Sequence, residues 1–326
     1  MMLSRVADSI YWTARYLERA ANMVRFLEVS YMLDLDLPDG EQSPWEPLVW
    51  ITGDIQRFQN RYGEATRENV MRFLVTDPDY HNSVVSCLEL ARTNVKGLRE
   101  MTPLSLWEEI NNLGRIFEGL DSVEGFSHKQ TMQLCREVNR LHMLILGMVG
   151  ETMARSEGYH LWQMGTYMER ADKTSRMLHV KYFHLLPHLS QVGTIVDDAR
   201  WCALLQSLDA RADYHRLHGV IIPEKVIDVV VRNPLFARSI RFCLEEVCCG
   251  LRKMPGASRG RPLGMLRELC EKIDRISASE IIQFGVHEFI NELQIEMNRV
   301  DAAVVDALFA PNQFVEPVPF VQEKSQ

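Results

Sequence analysis

Glu18, Asn22 and Arg25 stand four and three residues apart in the stretch YLERAANMVRFLEVSY, and Glu169, Lys173 and Arg176 repeat that spacing in YMERADKTSRMLHVKY. At about 100° per residue, each trio falls on one stripe of a helix. A carboxylate and a cation on one stripe have two uses. They can pair, with each other or with a neighbouring helix, and cross-link a core. Alternatively, two such stripes can face a shared cleft, where arginines grip a carboxylate or phosphate bidentately and a glutamate binds an amine or serves as general base. Arg19 and Arg170 directly follow the glutamates and therefore project about 100° away; Arg19 points towards Trp12, Arg15 and Phe26. Each glutamate and the arginine after it thus need partners other than one another. On the residues alone both uses stay open. The structural one pairs Glu18 with Arg25 or a neighbouring helix, and Glu169 with Arg176.

These residues sit in helices apolar over most of their circumference: Leu17, Ala20, Ala21, Val24 and Leu27 cover the rest of the first. Such a helix is largely buried, so its charges must be paired. Ala14 and Gly165 beside the stripes are small enough to admit a second helix or a ligand. Apolar residues at three- and four-residue spacing predict further helices, giving segments near 4–34, 81–101, 127–155, 157–186, 234–252 and 279–309. VIDVVVRN at Val226–Asn233 is the best strand candidate, but its counterpart VMRFLVTD at Val70–Asp77 has helical spacing, and both are read as short helices.

The two Glu-Arg stretches belong to a longer repeat. Shifted by 151, eight of sixteen positions coincide: Tyr16, Glu18, Arg19, Ala20, Arg25, Leu27, Val29 and Tyr31 fall on Tyr167, Glu169, Arg170, Ala171, Arg176, Leu178, Val180 and Tyr182. A shift of 156 aligns Glu68–Ala91 with Glu224–Val247, matching Pro78 with Pro234 and Cys87 with Cys243. The expected fold is therefore all-α, a tandemly duplicated helical bundle of two pseudo-symmetric units packed together, near 1–150 and 151–310. Pro78 and Pro234 are expected in the first turn of a helix, with Asp77 and Asn233 as N-caps. Residues 311–326 form a proline-punctuated C-terminal tail, read as an extended arm or a disordered terminus.

The chain has 326 residues, 46% apolar and 25% charged, with a net charge of -8. That balance is globular, and it disfavours nucleic acid and anionic membrane as partners. The opening MMLSRVADSIYW lacks the apolar run of a secretory signal, and LHMLILGMVG is about half the ~20 residues needed to span a bilayer. A cytoplasmic protein is the expectation. Seven scattered cysteines without a CxxC pair read as reduced thiols, with no metal and no cofactor. His179, His184 and His188 have near-helical spacing, but Pro187 interrupts it. GASRGRP at Gly256–Pro262 reads as an interhelical loop. Tyr214 and His215, followed by His218, are secondary site candidates.

The stretches LSRVADSIYWTARYLERAANMVRFLEV, RSEGYHLWQMGTYMERADKTSRMLHVKY and TDPDYHNSVVSCLELARTNVKGLREMTPLSLWEEIN, with the length and the repeat, resemble the alpha-E family of bacterial all-helical proteins with a Glu-Arg motif. The resemblance covers nearly the whole chain. It implies a context of circularly permuted ATP-grasp ligases, encoded beside such proteins or fused to them, and of transglutaminase-like proteins. It therefore implies an accessory role beside an ATP-grasp-type carboxylate–amine ligase in making or modifying a peptide, with a peptide or amino acid as substrate. The motif carries over to Glu18, Arg19, Glu169 and Arg170, and Arg25 and Arg176 also match. Thr166 departs from it, standing where the family usually has arginine and where the first unit has Arg15; if the arginines bind an anion, the second unit is then expected to bind it more weakly or to be the degenerate half. A stand-alone enzyme with Glu18 or Glu169 as base, and a purely structural scaffold, are the competing expectations.

Overall fold

The computed structural model describes residues 3–36, 43–117, 128–184, 194–254 and 260–309. Among these residues all regular structure is helical, as the spacing predicts. The first half runs α1 (Ser4–Asp36), α2 (Trp45–Thr52), α3 (Ile55–Tyr62), α4 (Arg67–Met71), a π-helical turn Arg72–Thr76, α5 (Val84–Lys96), α6 (Leu104–Arg115) and α7 (His128–Thr152). The second runs α8 (Glu157–His184), α9 (Ile195–Ser207), α10 (Arg211–His218), α11 (Pro223–Ile227), a π-helical turn Asp228–Arg232, α12 (Ile240–Lys253), α13 (Gly260–Arg275), α14 (Ala278–Phe284) and α15 (Val286–Phe309). The order thus recurs. From α3 to α6 every element, π turns included, has a counterpart starting 156 residues later: Ile55 and Arg211, Arg67 and Pro223, Arg72 and Asp228, Val84 and Ile240, Leu104 and Gly260. The β-branched run Val226–Val231 is helical, as its spacing against Val70–Val75 implies.

α1 and α8 form the centre. α1 packs on α5 and α7, and α8 in the same way on α12 and α15. The small helices cross over: α2 packs on α8, and α9 on α1. One continuous core results. α1 fills its place because it is apolar almost all round, with Ile10, Tyr11, Ala14, Leu17, Val24 and Leu27 all buried. Where it meets α8 the backbones touch. A Cβ on Gly165 would lie 2.4 Å from the Tyr11 carbonyl and 3.2 Å from the Ala14 Cβ. Ala14 and Gly165 are counterparts in the repeat, so the two central helices meet at matching points.

Pro78 and Pro234 do not open helices. Each lies in a turn between a π-helical turn and the next helix. Asp77 and Asn233 cap that turn through their side chains: Asp79 N donates to Asp77 Oδ1 at 3.0 Å, and Leu235 N to Asn233 Oδ1 at 2.8 Å. The helix N-caps are Ser83 and Ser239, whose hydroxyls accept from Ser86 N and Phe242 N. A short Asx side chain closes such a turn as readily as it caps a helix, and spacing alone does not separate the two. Of GASRGRP, residues 256–259 lie outside the described residues, and Gly260, Arg261 and Pro262 already belong to α13. The tail from 311 to 326 also lies outside them.

The contact at Gly165 gives the first expectation. Gly165→Leu must push α1 and α8 apart and should cost about 1–3 kcal/mol, lowering the urea midpoint. Gly147 on α7 meets no atom within 4 Å of an added Cβ. Gly147→Ala should therefore hold or raise the midpoint through helix propensity. Equal effects would contradict the close crossing.

Candidate functional site

The Glu-Arg motifs of α1 and α8 grip each other. Arg170 donates from Nε to Glu18 Oε1 at 2.8 Å and from Nη2 to Glu18 Oε2 at 3.0 Å. In return Arg19 donates from Nε to Glu169 Oε1 at 2.7 Å and from Nη2 to Glu169 Oε2 at 2.9 Å. Each is a bidentate guanidinium–carboxylate pair, the strongest form of ion pair a side chain makes. Both glutamates are completely buried. The helix explains the exchange: one residue's rotation turns Glu18 and Arg19 apart, so each reaches its opposite number on the facing helix.

Each carboxylate then collects a second arginine, from different places. Glu169 takes Arg15 Nε at 2.9 Å, and Arg15 also binds Asp301 of α15. Thr166 stands at the matching position of α8 and cannot do this for Glu18. Arg238 does it instead, with Nη1 3.3 Å from Glu18 Oε1 and 3.2 Å from Asn22 Oδ1. Arg238 lies in the turn before α12, where the first half has Asn82, which accepts a bond from Arg19 Nη1. Where α8 has Thr166 instead of an arginine, an arginine outside the motif thus takes its place. Asn22 Nδ2 (3.0 Å) and His142 Nε2 (3.4 Å) complete the Glu18 end; Lys173 Nζ at 3.3 Å completes the Glu169 end.

Of the partners expected for Glu18, Arg25 or a neighbouring helix, the structure shows the neighbouring helix; Arg25 does not touch Glu18, nor does Arg176, expected to pair with it, touch Glu169. Arg25 is buried against Asn22, Asn139 and Asp209, each at 3.3 Å. Arg176 holds Asp172, one turn before it, at 2.9 Å, and Lys173 shares that carboxylate at 3.0 Å. The physical reason is competition. A facing guanidinium reaches each glutamate bidentately, which an arginine on the same stripe does not match. A further exchange is visible here. Asp209 has φ 56 and Gly53, 156 residues earlier, has φ 81, so both occupy the left-handed region. In the second half that position carries a carboxylate for Arg25. In the first half it is glycine, and Arg176 relies on Asp172, where α1 has Ala21.

Burial opposes ionisation of Glu18, but Arg170, His142 and Arg238 outweigh it and hold the carboxyl well below the usual range. Arg19, Lys173 and Arg15 do the same for Glu169 against its burial. Arg238 is pushed down to about 10 by burial and by its neighbours Arg25 and Arg170, against the pull of Glu18. The cations outnumber the carboxylates at this end. It adjoins an open pocket of about 530 Å³ lined by Asp209, Tyr214, Leu217, Phe236 and Arg238 among others, into which neither motif glutamate opens.

The other candidates lie apart from the Glu-Arg pairs, and Tyr214 also lines that pocket. The Tyr214 hydroxyl is buried in a loop staple, accepting from Ile222 N at 2.9 Å, with the Val220 carbonyl at 3.2 Å. His215 is exposed and contacts the Gly219 carbonyl at the end of its own helix. His179 stacks on His287 of α15, with ring centroids 4.5 Å apart; His188 lies outside the described residues, as does the side chain of His184. His142, Arg238, Asp209, Asp172 and Asp301 were not singled out from the sequence. Two had a signal: His142 is the polar residue in the greasiest stretch of the chain, and Arg238 stands opposite a neutral Asn82 in the 156-residue alignment.

Comparison with known proteins agrees with the helical class and the Glu-Arg motif. The model of the Alpha-E family, described as a predicted alpha-helical domain with a conserved ER motif, matches residues 2–309. Uncharacterized proteins of Mycobacterium bovis and Mycobacterium tuberculosis are 23% identical over 321 residues, covering 93% of this chain and 36% of their own length. The chain thus spans about a third of the length of these curated relatives. No solved structure matches it.

Removing Glu18 strands buried guanidinium groups, so Glu18→Gln should cost about 3–5 kcal/mol in urea unfolding, and Glu169→Gln about as much. Acid should do the same in stages. His142 is lowered by burial, so its contribution is full above about 6.5 and fades as pH falls below that. The glutamates, also lowered, contribute fully above about 4.3 and lose that contribution as pH falls further. Stability should decline gently from about pH 6.5 and steeply below about 4.3, with His142→Gln reducing the gentle stage, to which His160, also lowered by burial, contributes the remainder. A flat profile between pH 7 and 4 would contradict the assignment.

Proposed function

The chain belongs to the Alpha-E family, and on that premise we propose that it is an accessory or partner protein of an ATP-grasp-type carboxylate–amine ligase in a bacterial peptide synthesis or modification system. In this reading it is a cytoplasmic helical body, descended from a tandem duplication, that docks to the ligase; it is not itself the catalyst. The observation that carries the non-catalytic part is the state of the two glutamates. Each is fully buried, ionised and held bidentately by an arginine of the opposite helix. A general base needs an open face towards a substrate proton and a pKa near the working pH. Neither Glu18 nor Glu169 has them.

The ligase partnership rests on the context that the family resemblance implies. The relatives' length is consistent with it: about two-thirds of each is further polypeptide, so in those proteins the helical unit works joined to something else. The peptide or amino-acid substrate, where it touches this protein, would find its charged contacts at Arg238 and Asp209. These two line the pocket beside the brace, the crossed Glu18–Arg170 and Glu169–Arg19 pairs, among apolar side chains suited to the body of such a molecule.

The test is reconstitution with a purified ATP-grasp-type ligase encoded alongside the chain. ATP turnover with carboxylate and amine substrates should require the ligase and be raised by the chain. At a temperature where it remains folded, Glu169→Gln should support as much coupled turnover per folded molecule as the unaltered protein. Turnover by the isolated chain would overturn the proposal, as would a folded Glu169→Gln protein that binds the ligase but abolishes the reaction.

A further inference from the structure

Where α12 packs on α13, Glu245, Cys248 and Cys270 come together. One Glu245 carboxylate oxygen and the two sulfurs all lie within 4.8 Å of one another. Glu245 and Cys248, three residues apart, share a face of α12, and Cys270 reaches them from α13. The two thiols are buried and hydrogen-bonded to each other, while Glu245 is half-buried and gives the cluster an outer side.

The first half of the chain supplies a comparison. The positions 156 residues earlier are Glu89, Arg92 and Gly114. There, Arg92 Nη1 lies 3.5 Å from Glu89, and its side chain occupies the space over Gly114, where an added Cβ would come within 2.9 Å of Arg92 Cδ. The first half therefore places a cation against its glutamate and keeps a glycine to make room for it. The second half has a thiol in place of that cation and another in place of that glycine.

We propose that Glu245, Cys248 and Cys270 bind a thiophilic divalent cation of the zinc class. Two sulfurs, each about 2.3 Å from a tetrahedral zinc, stand roughly 3.8 Å apart, so side-chain rotations of about an ångström close the site. Both thiols lose their protons to solvent on binding. Two thiolates and a carboxylate exceed the cation's charge by one, and two arginines stand ready to balance it. Arg241 Nη1 is 3.1 Å from one Glu245 oxygen, and Arg252 Nη1 is 3.0 Å from the other. They also fix the carboxylate's orientation, as outer partners of metal ligands do. The fourth position is left to water. Cys249 is exposed, and its sulfur lies 3.9 Å from Glu245 Oε1. The site uses no residue of the brace and is independent of the ligase reading.

The probe is cobalt(II), titrated into the full chain after reduction and removal of metal by a chelator. A thiolate-to-cobalt charge-transfer band should saturate at one equivalent and vanish on adding zinc. Cys248→Ser and Cys270→Ser should abolish it, Cys249→Ser should keep it, and Glu245→Gln should weaken affinity about tenfold or more. X-ray absorption of the zinc form of the unaltered chain needs no variant to fold; it should show two sulfurs at about 2.3 Å and a remaining shell of oxygen. No band at one equivalent, a band that survives Cys248→Ser in a folded protein, or a zinc shell without two sulfurs would each overturn the proposal. So would a Cys248–Cys270 disulfide that forms as fast in zinc-saturated as in metal-free protein.

Discussion

The rest of the structure depends on an exchange of charges between two buried helices. Glu18 and Glu169 lie in a core where a lone carboxylate would be prohibitively costly, and each is made tolerable only by guanidinium groups from elsewhere in the fold. That requirement dictates how α1 and α8 meet. The pairs form only if the helices approach closely, and the close approach is possible because Gly165 has no side chain to hold off the Tyr11 carbonyl. It also dictates register: sliding either helix by a residue would break both bidentate pairs at once. The Gly165 crossing enforces the same register, because a slip would put a side chain against the Tyr11 carbonyl.

Around that exchange the two halves differ at matching positions, and the differences compensate one another. Glu169 takes its second arginine from Arg15 on α1, whereas Glu18, facing Thr166, takes it from Arg238 in a turn. Arg25 is answered by Asp209 across the fold, whereas Arg176, facing Gly53, is answered by Asp172 on its own helix. In each case a charge absent from one position is supplied from another that serves the corresponding group. Such compensation is what a buried ion network demands, since a missing partner costs far more than a relocated one.

The helical class and the recurrence of elements could be read from the sequence because both rest on short-range periodicity and on a shift that keeps its offset. Even the β-branched Val226–Val231 run was resolved correctly, by its helically spaced counterpart. What the helical wheel did establish was negative: Glu18 and Arg19 face different ways and must find different partners. It could not say which. Arg25 and Arg176 looked like the natural partners because they share a stripe, and pairs within a helix are all that a wheel displays. The true partners lie about 150 residues away and are set by how α1 meets α8. The same limit hid Arg238, His142 and Asp209, and brought Cys248 and Cys270 together without any motif. Asp77 and Asn233 were recognised as capping residues but assigned to the wrong cap, because a turn and a helix start use the same side-chain chemistry.

The functional consequence is that the most recognisable residues of the chain are spent inside it. Beside them, Arg238 and Asp209 line an open pocket that neither glutamate enters. The most direct test of this account is a pair of double-mutant cycles in urea unfolding, Glu18→Gln with Arg170→Gln and Glu18→Gln with Arg25→Gln. The account predicts a coupling of about 2 kcal/mol or more for Glu18 with Arg170, and one within about 0.5 kcal/mol of zero for Glu18 with Arg25. Strong coupling to Arg25 with none to Arg170 would mean that each helix neutralises its own charges and that the brace does not exist.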